Sequence, residues 1–478
     1  MSWFRRMRST VHSLTAAPAA AGVQINTEAD FRGEAFRHRL WYRGRPSELQ
    51  QYYESYDDRV GNTSFWGARV GGRFTFRKLH TGLPALMVDT LADIVCTDLL
   101  AVRLEDEAAQ VRWDEIARVN RFDRLLRRAV RVALSEGDGA FKLTVDPAVS
   151  ALPILSFHGG GELDFTCLRH RLHAVTFGES FTDNGKEYRL AEQYSPQGVT
   201  YRLSDGEGKV WPLSAAAATR DLRNLENPHG FLPAVELIFD ENPRFPGRGR
   251  SLYDGKTGAL DAIDECVSQW VDALRDGRVQ TYIPDGYMPR DPETGALLRP
   301  NAFSARFVLK EEAALEGQTP RIEVVQPEVK TGALLETHKT FLDICLQGIL
   351  SPSTLGVDVR KLDNAEAQRE KEKMTLYTRG RIIAVLKEAI PRLVNVSLRT
   401  LDWMENRRVQ EYRATAEFGE YANPSFEAQI ETVGKAVGSG IMSLETAMNE
   451  LYGQGWTADQ KAEEVVRLLQ TGSQAGMS

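Results

Sequence analysis

Between Asn364 and about Gln410 the chain reads as one helix, and that length constrains everything built around it. Asn364 is a capping residue, alanines follow, and Arg369-Glu370-Lys371-Glu372-Lys373 alternates in charge. Apolar residues then recur at Leu376, Ile382, Ile383, Leu386, Ile390, Leu393, Val394, Leu401 and Met404. Pro391 is the one breaker inside, and it removes a hydrogen bond and kinks the rod without ending it. At about 1.5 Å per residue the rod is roughly 65 to 70 Å long, over twice the span of a small domain. A single subunit hardly buries such a rod, so the expectation is that neighbouring copies cover it. Immediately upstream, Ser351 to Asp363 has no sustained period and contains Pro352 and Gly356, and reads as a loop.

The rest of the composition sets broad limits. A chain of 478 residues, 42% hydrophobic and 26% charged, builds a large core in two or more structural units. No apolar run approaches the eighteen or so residues of a membrane span, so no membrane segment is expected. The N-terminus, Met1-Ser-Trp-Phe-Arg-Arg-Met-Arg, is basic but lacks the apolar core of a signal peptide, and residues 1–26 read as a flexible tail. Cys96, Cys167, Cys266 and Cys345 match no zinc or redox spacing and read as buried free thiols of a reducing compartment. With a net charge of −7, the chain is not built to grip nucleic acid stably through phosphates.

Taken in order, the elements alternate in class. Pro46 starts a short helix toward Tyr56, and Leu79 to Leu100 reads as an apolar helix. A helix over Val111 to Leu134 carries an apolar stripe and, on another face, Arg121, Arg124, Arg128 and Arg131 at three- and four-residue spacing. That arginine face is either a contact with DNA, a neighbouring subunit or an acidic partner, or a solvated surface. After Gly137-Asp-Gly139, strands are expected at Ala140–Val145, Ile154–Phe157, His173–Phe177, Tyr188–Tyr194, Val199–Leu203 and Val235–Phe239. The period returns to helical through Leu260, Ile263, Val267, Trp270 and Leu274, with Asp261, Asp264, Glu265 and Asp272 as an acidic flank. A small α/β unit follows to about Val325, and Leu334 to Leu350 is a second helix. Arg413–Phe418 is a return strand, and helices at Ser425–Val437, Ser443–Leu451 and Ala458–Leu469 close the chain.

No catalytic constellation emerges. Gly249-Arg-Ser-Leu-Tyr-Asp-Gly255-Lys256-Thr257 approaches a phosphate-binding loop but spaces its glycines by five residues where four are needed. His158-Gly159-Gly160-Gly161 has no partner nucleophile elbow and reads as a turn. The histidines are scattered and no metal motif or cofactor site is indicated.

The loop at 351–364, the Ala365-Glu-Ala-Gln-Arg-Glu370 segment, Leu260-Asp-Ala-Ile-Asp264, Gly356-Val-Asp358 and the long proline-kinked helix fall in the order seen in portal proteins of tailed bacteriophages, and the chain resembles the SPP1-like portal family. The resemblance implies an α+β subunit with a wing at 27–248, stem helices at 249–275 and 331–350, a clip at 276–330, a tunnel loop at 351–364, a long wing helix and return strand at 365–420, and a helical crown at 421–478. It implies a non-enzymatic ring, usually a dodecamer, at one capsid vertex of the virion, formed in the host cytoplasm. Double-stranded DNA would pass through it during packaging and ejection. Partners would be the terminase large subunit, the major capsid protein and scaffold, and a head-tail adaptor. Within that scheme, Val357, Asp358, Val359, Arg360 and Lys361 approach the duplex. Asp261, Asp264, Glu265 and Asp272 line the channel or its subunit seams. Arg369, Glu370, Lys371, Glu372 and Lys373 meet the next subunit. The rivals are a nucleotide-binding packaging enzyme or nuclease, resting on Lys256, and a capsid structural protein without a channel.

Overall fold

A computed structural model describes residues 30–56, 64–68, 76–169, 171–284, 290–296, 306–310, 321–356, 365–419, 426–452, 456 and 458–475. The body begins with three helices, α1 (Phe31–Arg43), α2 (Pro46–Tyr56) and α3 (Leu83–Thr97). The Asp30 side chain accepts from Gly33 N at 2.7 Å to start α1, and Gly44 ends it in the left-handed region. Strand β1 (Leu99–Leu104) leads to α4 (Glu107–Val119) and α5 (Phe122–Glu136). These two helices replace the single one expected over Val111–Leu134. Asn120 accounts for the break: its Nδ2 donates to the carbonyls of Ile116 and Pro153, its Oδ1 accepts from Leu155 N, and Arg121 turns left-handed at φ 51.

Strands β2 (Asp138–Thr144) and β3 (Ile154–Gly159) follow, then β4 (Leu163–Leu168), β5 (Arg171–Asp183), β6 (Lys186–Ser195), β7 (Gly198–Asp205), β8 (Val210–Trp211), β9 (Leu225–Glu226) and β10 (Ala234–Ile238). They form two antiparallel sheets, one ordered β10-β2-β3 and one ordered β4-β5-β6-β7-β8 with β9 beside β7. The mixture of helix and antiparallel sheet makes the chain α+β, as its alternating periods predict.

The bend between the sheets explains the glycine run. Asp138, wholly buried, receives both Arg248 Nε and Nη2 at 2.8 and 2.9 Å and Gly249 N at 2.7 Å. Arg39 similarly holds buried Glu136 at 2.8 and 3.0 Å. A Cβ at Gly159 would stand 2.4 Å from a Glu136 oxygen, and one at Gly160 would stand 2.3 Å from an Asp138 oxygen. His158-Gly-Gly-Gly161 is therefore the clearance around two buried carboxylates.

Helix α6 (Thr257–Asp276), strands β11 (Gln280–Pro284), β12 (Arg306–Lys310) and β13 (Glu323–Val325), and helix α7 (Thr331–Leu346) form an arm. After a 3₁₀ turn at Pro352–Leu355 comes α8 (Ala365–Met404), 40 residues and about 60 Å long. Strand β14 (Ala414–Phe418) pairs antiparallel with β1, and α9 (Phe426–Gly438), α10 (Leu444–Tyr452) and α11 (Ala458–Ala475) end the chain.

The expectation that neighbours must cover the long helix is corrected over its C-terminal half. Ile382, Leu386, Ile390, Leu393, Val394 and Leu398 are buried in the chain's own main core, where α8 packs on α3, α4, β10 and β14. The apolar stripe is continuous there because four different elements of the body wrap around it. Buried Asp402 closes the helix end, accepting from Arg112 Nη2 and Tyr412 Oη, each at 2.8 Å. The cysteine expectation also needs correction: Cys266 and Cys345 are buried, Cys96 is half-buried, and Cys167 on edge strand β4 is exposed.

Leu393→Ala is expected to cost about 2 to 5 kcal/mol, the usual range for a truncated core leucine, measured by urea denaturation. A loss well below 1 kcal/mol would mean that this stripe is not buried within one chain.

Candidate functional site

The arm is the element that leaves the body, and its attachment is set by side chains of α6. Leu260 and Ile263 turn inward as the apolar period requires, and Asp264 and Ser268 lie on the same buried side. Asp264 is 1% exposed. It accepts from Thr81 N and Thr81 Oγ1, both at 2.8 Å, and from Trp66 Nε1 at 3.2 Å. Asp261, one turn earlier, accepts from Phe65 N at 2.7 Å and Trp66 N at 3.3 Å. Ser268 Oγ accepts from Leu79 N at 2.9 Å. Lys78 Nζ donates to the carbonyls of Trp66 and Ala68, each at 2.8 Å, and steadies the strap from its other side. Residues 64–68 and 76–81 thus form a strap whose backbone donors are met by one helix.

This corrects the acidic-flank expectation for Asp264, which is enclosed by its own chain and faces no lumen. Asp261 is half-buried and committed to the strap. Glu265 and Asp272 are half-exposed farther along the helix, with Glu265 accepting from Gln269 Nε2 at 2.8 Å. Asp264 stands four residues after Leu260 and three before Val267, within the apolar spacing, and that spacing is the signal that separates it from a solvated acid.

Burial dominates the electrostatics. It pushes the Asp264 carboxyl up to about 7, against the pull of the hydrogen bonds from Thr81 and Trp66. Burial lowers the His80 imidazole to about 4; its Nε2 lies 3.8 Å from Asp264 Oδ2 while its Nδ1 accepts from Gly82 N at 2.9 Å. Burial also lowers His38 to about 3, with Arg37 adding to the shift.

The two arm helices run antiparallel. Lys256 Nζ donates to Ile344 O at 2.8 Å at the base, and Trp270 meets His338 edge-on at 6.4 Å farther out. The base is embedded in the core through Leu342, Cys345 and Leu346. At the far end β11 lies between β12, which is parallel to it, and β13, which is antiparallel. From 277 to 330 no residue whose burial is described is buried. Leu274, Ile322, Val324 and Leu335 are 52%, 56%, 66% and 44% exposed.

Past α7, Ser351 N donates to Thr375 Oγ1 at 3.0 Å and Thr378 Oγ1 donates to Ile349 O at 2.7 Å, so the turn is seated on α8. Val357, Asp358, Val359, Arg360 and Lys361 lie outside the described residues. Arg369, Glu370 and Lys371 belong to the first turns of α8, their side chains likewise outside the description, while Glu372 is half-exposed and Lys373 exposed. Among the described residues no group of three or more His, Cys, Asp or Glu is placed to hold a metal ion, and no helix is long and apolar enough to cross a membrane.

The chain matches no known protein-family model and no curated protein. Among solved structures it is similar to a chain of the virion of a native gene transfer agent particle, at 13% identity and a TM-score of 0.39, over 91% of this chain and 95% of that one. It is also similar to a chain of the neck of the native particle computed with C12 symmetry, at 14% identity and a TM-score of 0.37, over 78% of this chain and 89% of that one. A chain of the neck of the empty particle computed with C6 symmetry is 11% identical, with a TM-score of 0.36, over 78% and 90%.

The buried groups oppose one another as pH changes. Between about pH 7 and 4 the folded chain holds a proton on Asp264 that the unfolded chain releases, so this group adds stability as pH falls. Between about pH 6.5 and 4 the unfolded chain protonates His80 while the folded chain does not, so that group removes stability as pH falls. Burial also raises the Asp261 and Glu136 carboxyls, and Asp264→Asn deletes the acid-favouring group that is pushed up to about 7. Its denaturation midpoint should therefore fall more steeply from pH 7 to 4 than that of the unmodified protein; parallel profiles would refute the assignment.

Proposed function

We propose that the chain is a subunit of a portal-type ring, a non-enzymatic channel through which double-stranded DNA enters and leaves a capsid at one vertex. The observation that carries this reading is the arm, anchored at its base by buried contacts and finished at its tip by a three-stranded sheet in which no residue whose burial is described is buried. Apolar side chains such as Leu274, Val324 and Leu335 stand exposed among the described residues and suit cover by another molecule, and a subunit that repeats one head-to-tail contact closes into a ring. The order of body, arm, loop, long helix and return strand supports the same reading, because it follows the portal-like sequence pattern.

In such a ring the half-exposed Glu265 and Asp272 supply negative charge along the arm. A duplex that must slide is better served by weak repulsion than by cationic contacts, since each neutralised phosphate adds affinity. The segment Val357 to Lys361, which joins the arm to the long helix, is the part we assign to the narrowest passage. Glu372 is half-exposed and Lys373 exposed, and the alternating charges of Arg369 to Lys373 suit a subunit seam. Terminase, capsid and scaffold proteins and a head-tail adaptor are the partners this role requires.

Negative-stain electron microscopy with native mass spectrometry should find closed rings with a central hole able to pass a hydrated duplex. Val324→Asp should leave the stability of the separate subunit within about 0.5 kcal/mol, as an exposed substitution does, while sharply reducing the ring fraction. A defined dimer in the unmodified protein would overturn the proposal.

A further inference from the structure

The arginines of α5 fall into two sets. Where α5 borders α3, the part-exposed Arg127 Nη1 meets Asp93 at 2.7 Å, and Arg131, on the same side of the helix as Arg124, meets Asp89 at 2.9 Å and Asp93 at 3.1 Å, tying α5 to α3. By contrast, Arg121, Arg124 and Arg128 are exposed, and none has an ion-pair or hydrogen-bond partner among the described residues; Arg128 adds only a weak pull on the more distant Glu162. These three guanidinium groups hold nothing in the fold together.

Arg121 adds a second observation. It stands at φ 51, at the break between α4 and α5, with no side-chain cap bond. The other left-handed non-glycine positions among the described residues are Asn184 and Asn406, whose side chains tolerate that conformation, and Arg169 in the turn between β4 and β5. An arginine there is strained, exposed and unpartnered, so its presence is not explained by the fold.

We propose that Arg121, Arg124 and Arg128 form a docking ridge for the sugar–phosphate backbone of a nucleic-acid duplex. The ridge covers about 10 Å of helix, the rise of about three base steps on one strand, and each guanidinium can fork onto a phosphate. The chain is otherwise acidic, at −7, so non-specific attraction of a duplex must come from a local cationic row of this kind. Asp123 is the single exposed acid inside the row, and it leaves the ridge cationic. The inference rests on the ring reading for the identity of the polyanion. It adds a contact on the body, away from the acidic arm, where DNA is held while the arm lets it slide.

The test is fluorescence anisotropy of a labelled random-sequence duplex titrated with the assembled full-length protein across a salt series. The dependence of log K on log salt should be shallower by at least about 2 in the triple variant Arg121→Gln, Arg124→Gln, Arg128→Gln, and should keep its slope in the corresponding triple lysine variant, because counterion release follows charge. Equal slopes in the glutamine variant and the unmodified protein would overturn the inference, as would the absence of duplex binding at low salt. A glutamine variant that loses its rings while its slope is unchanged would also overturn it, making the ridge a subunit seam. Imaging the same samples separates the two claims: rings with an unchanged slope sink only the ridge, whereas unmodified protein without rings counts against the ring and leaves the slope to decide the ridge.

Discussion

A carboxylate taken out of water must be met by donors, and in this chain three junctions are organised around that requirement. Asp264 joins the arm to the strap, Asp138 joins the two sheets through Arg248, and Asp402 joins the end of the long helix to α4. At the arginine-paired sites, Asp138 and Asp402, removing the arginine leaves a buried charge unmatched, at a cost of roughly 3 to 5 kcal/mol. Each junction therefore has one geometry that satisfies it, and neighbouring arrangements of the same elements do not. The apolar core supplies the bulk of the stability, while these carboxylates fix how body, arm and rod are set relative to each other.

The contrast between the two ends of the arm follows from the same logic. At its base, α6 and α7 are fixed by Asp261, Asp264, Ser268 and the buried Leu342 and Leu346. At its tip, the sheet around β11 exposes Ile322, Val324 and Val325, and little within one chain resists its displacement. The arm is thus firmly held at its base, while the described residues of its tip present apolar surface.

Much of the architecture was legible in periodicity. The change from period 2 to period 3.6 after Phe239 located α6, and the apolar repeat from Ile382 to Leu401 located the buried half of α8. What failed, failed for identifiable reasons. Asn120 broke an apparently continuous helix because its amide bonds to Pro153 and Leu155, residues too distant in sequence to be seen by local pattern. The burial of α8 is not visible in local pattern because α3, α4 and β10, which cover it together with β14, lie far upstream in the sequence. Asp264 was read as a flank because its charge outweighed its position in the apolar stripe. The strap it binds has no period of its own, being held by backbone donors of Phe65, Trp66, Leu79 and Thr81 together with the side chains of Trp66, Lys78 and Thr81.

Charge placement extends this argument to function. Pairing within the chain consumes Arg127 and Arg131 of α5 and the deepest acids of α6, so the field outside the molecule is set by what remains. Along the arm the remainder is acidic, with Glu265 and Asp272 half-exposed; along α5 it is cationic, with Arg121, Arg124 and Arg128. In the proposed ring, the first region would repel a duplex and the second attract it, screening confining each field to about 10 Å at ordinary ionic strength. The net charge of −7 averages over that division and conceals it.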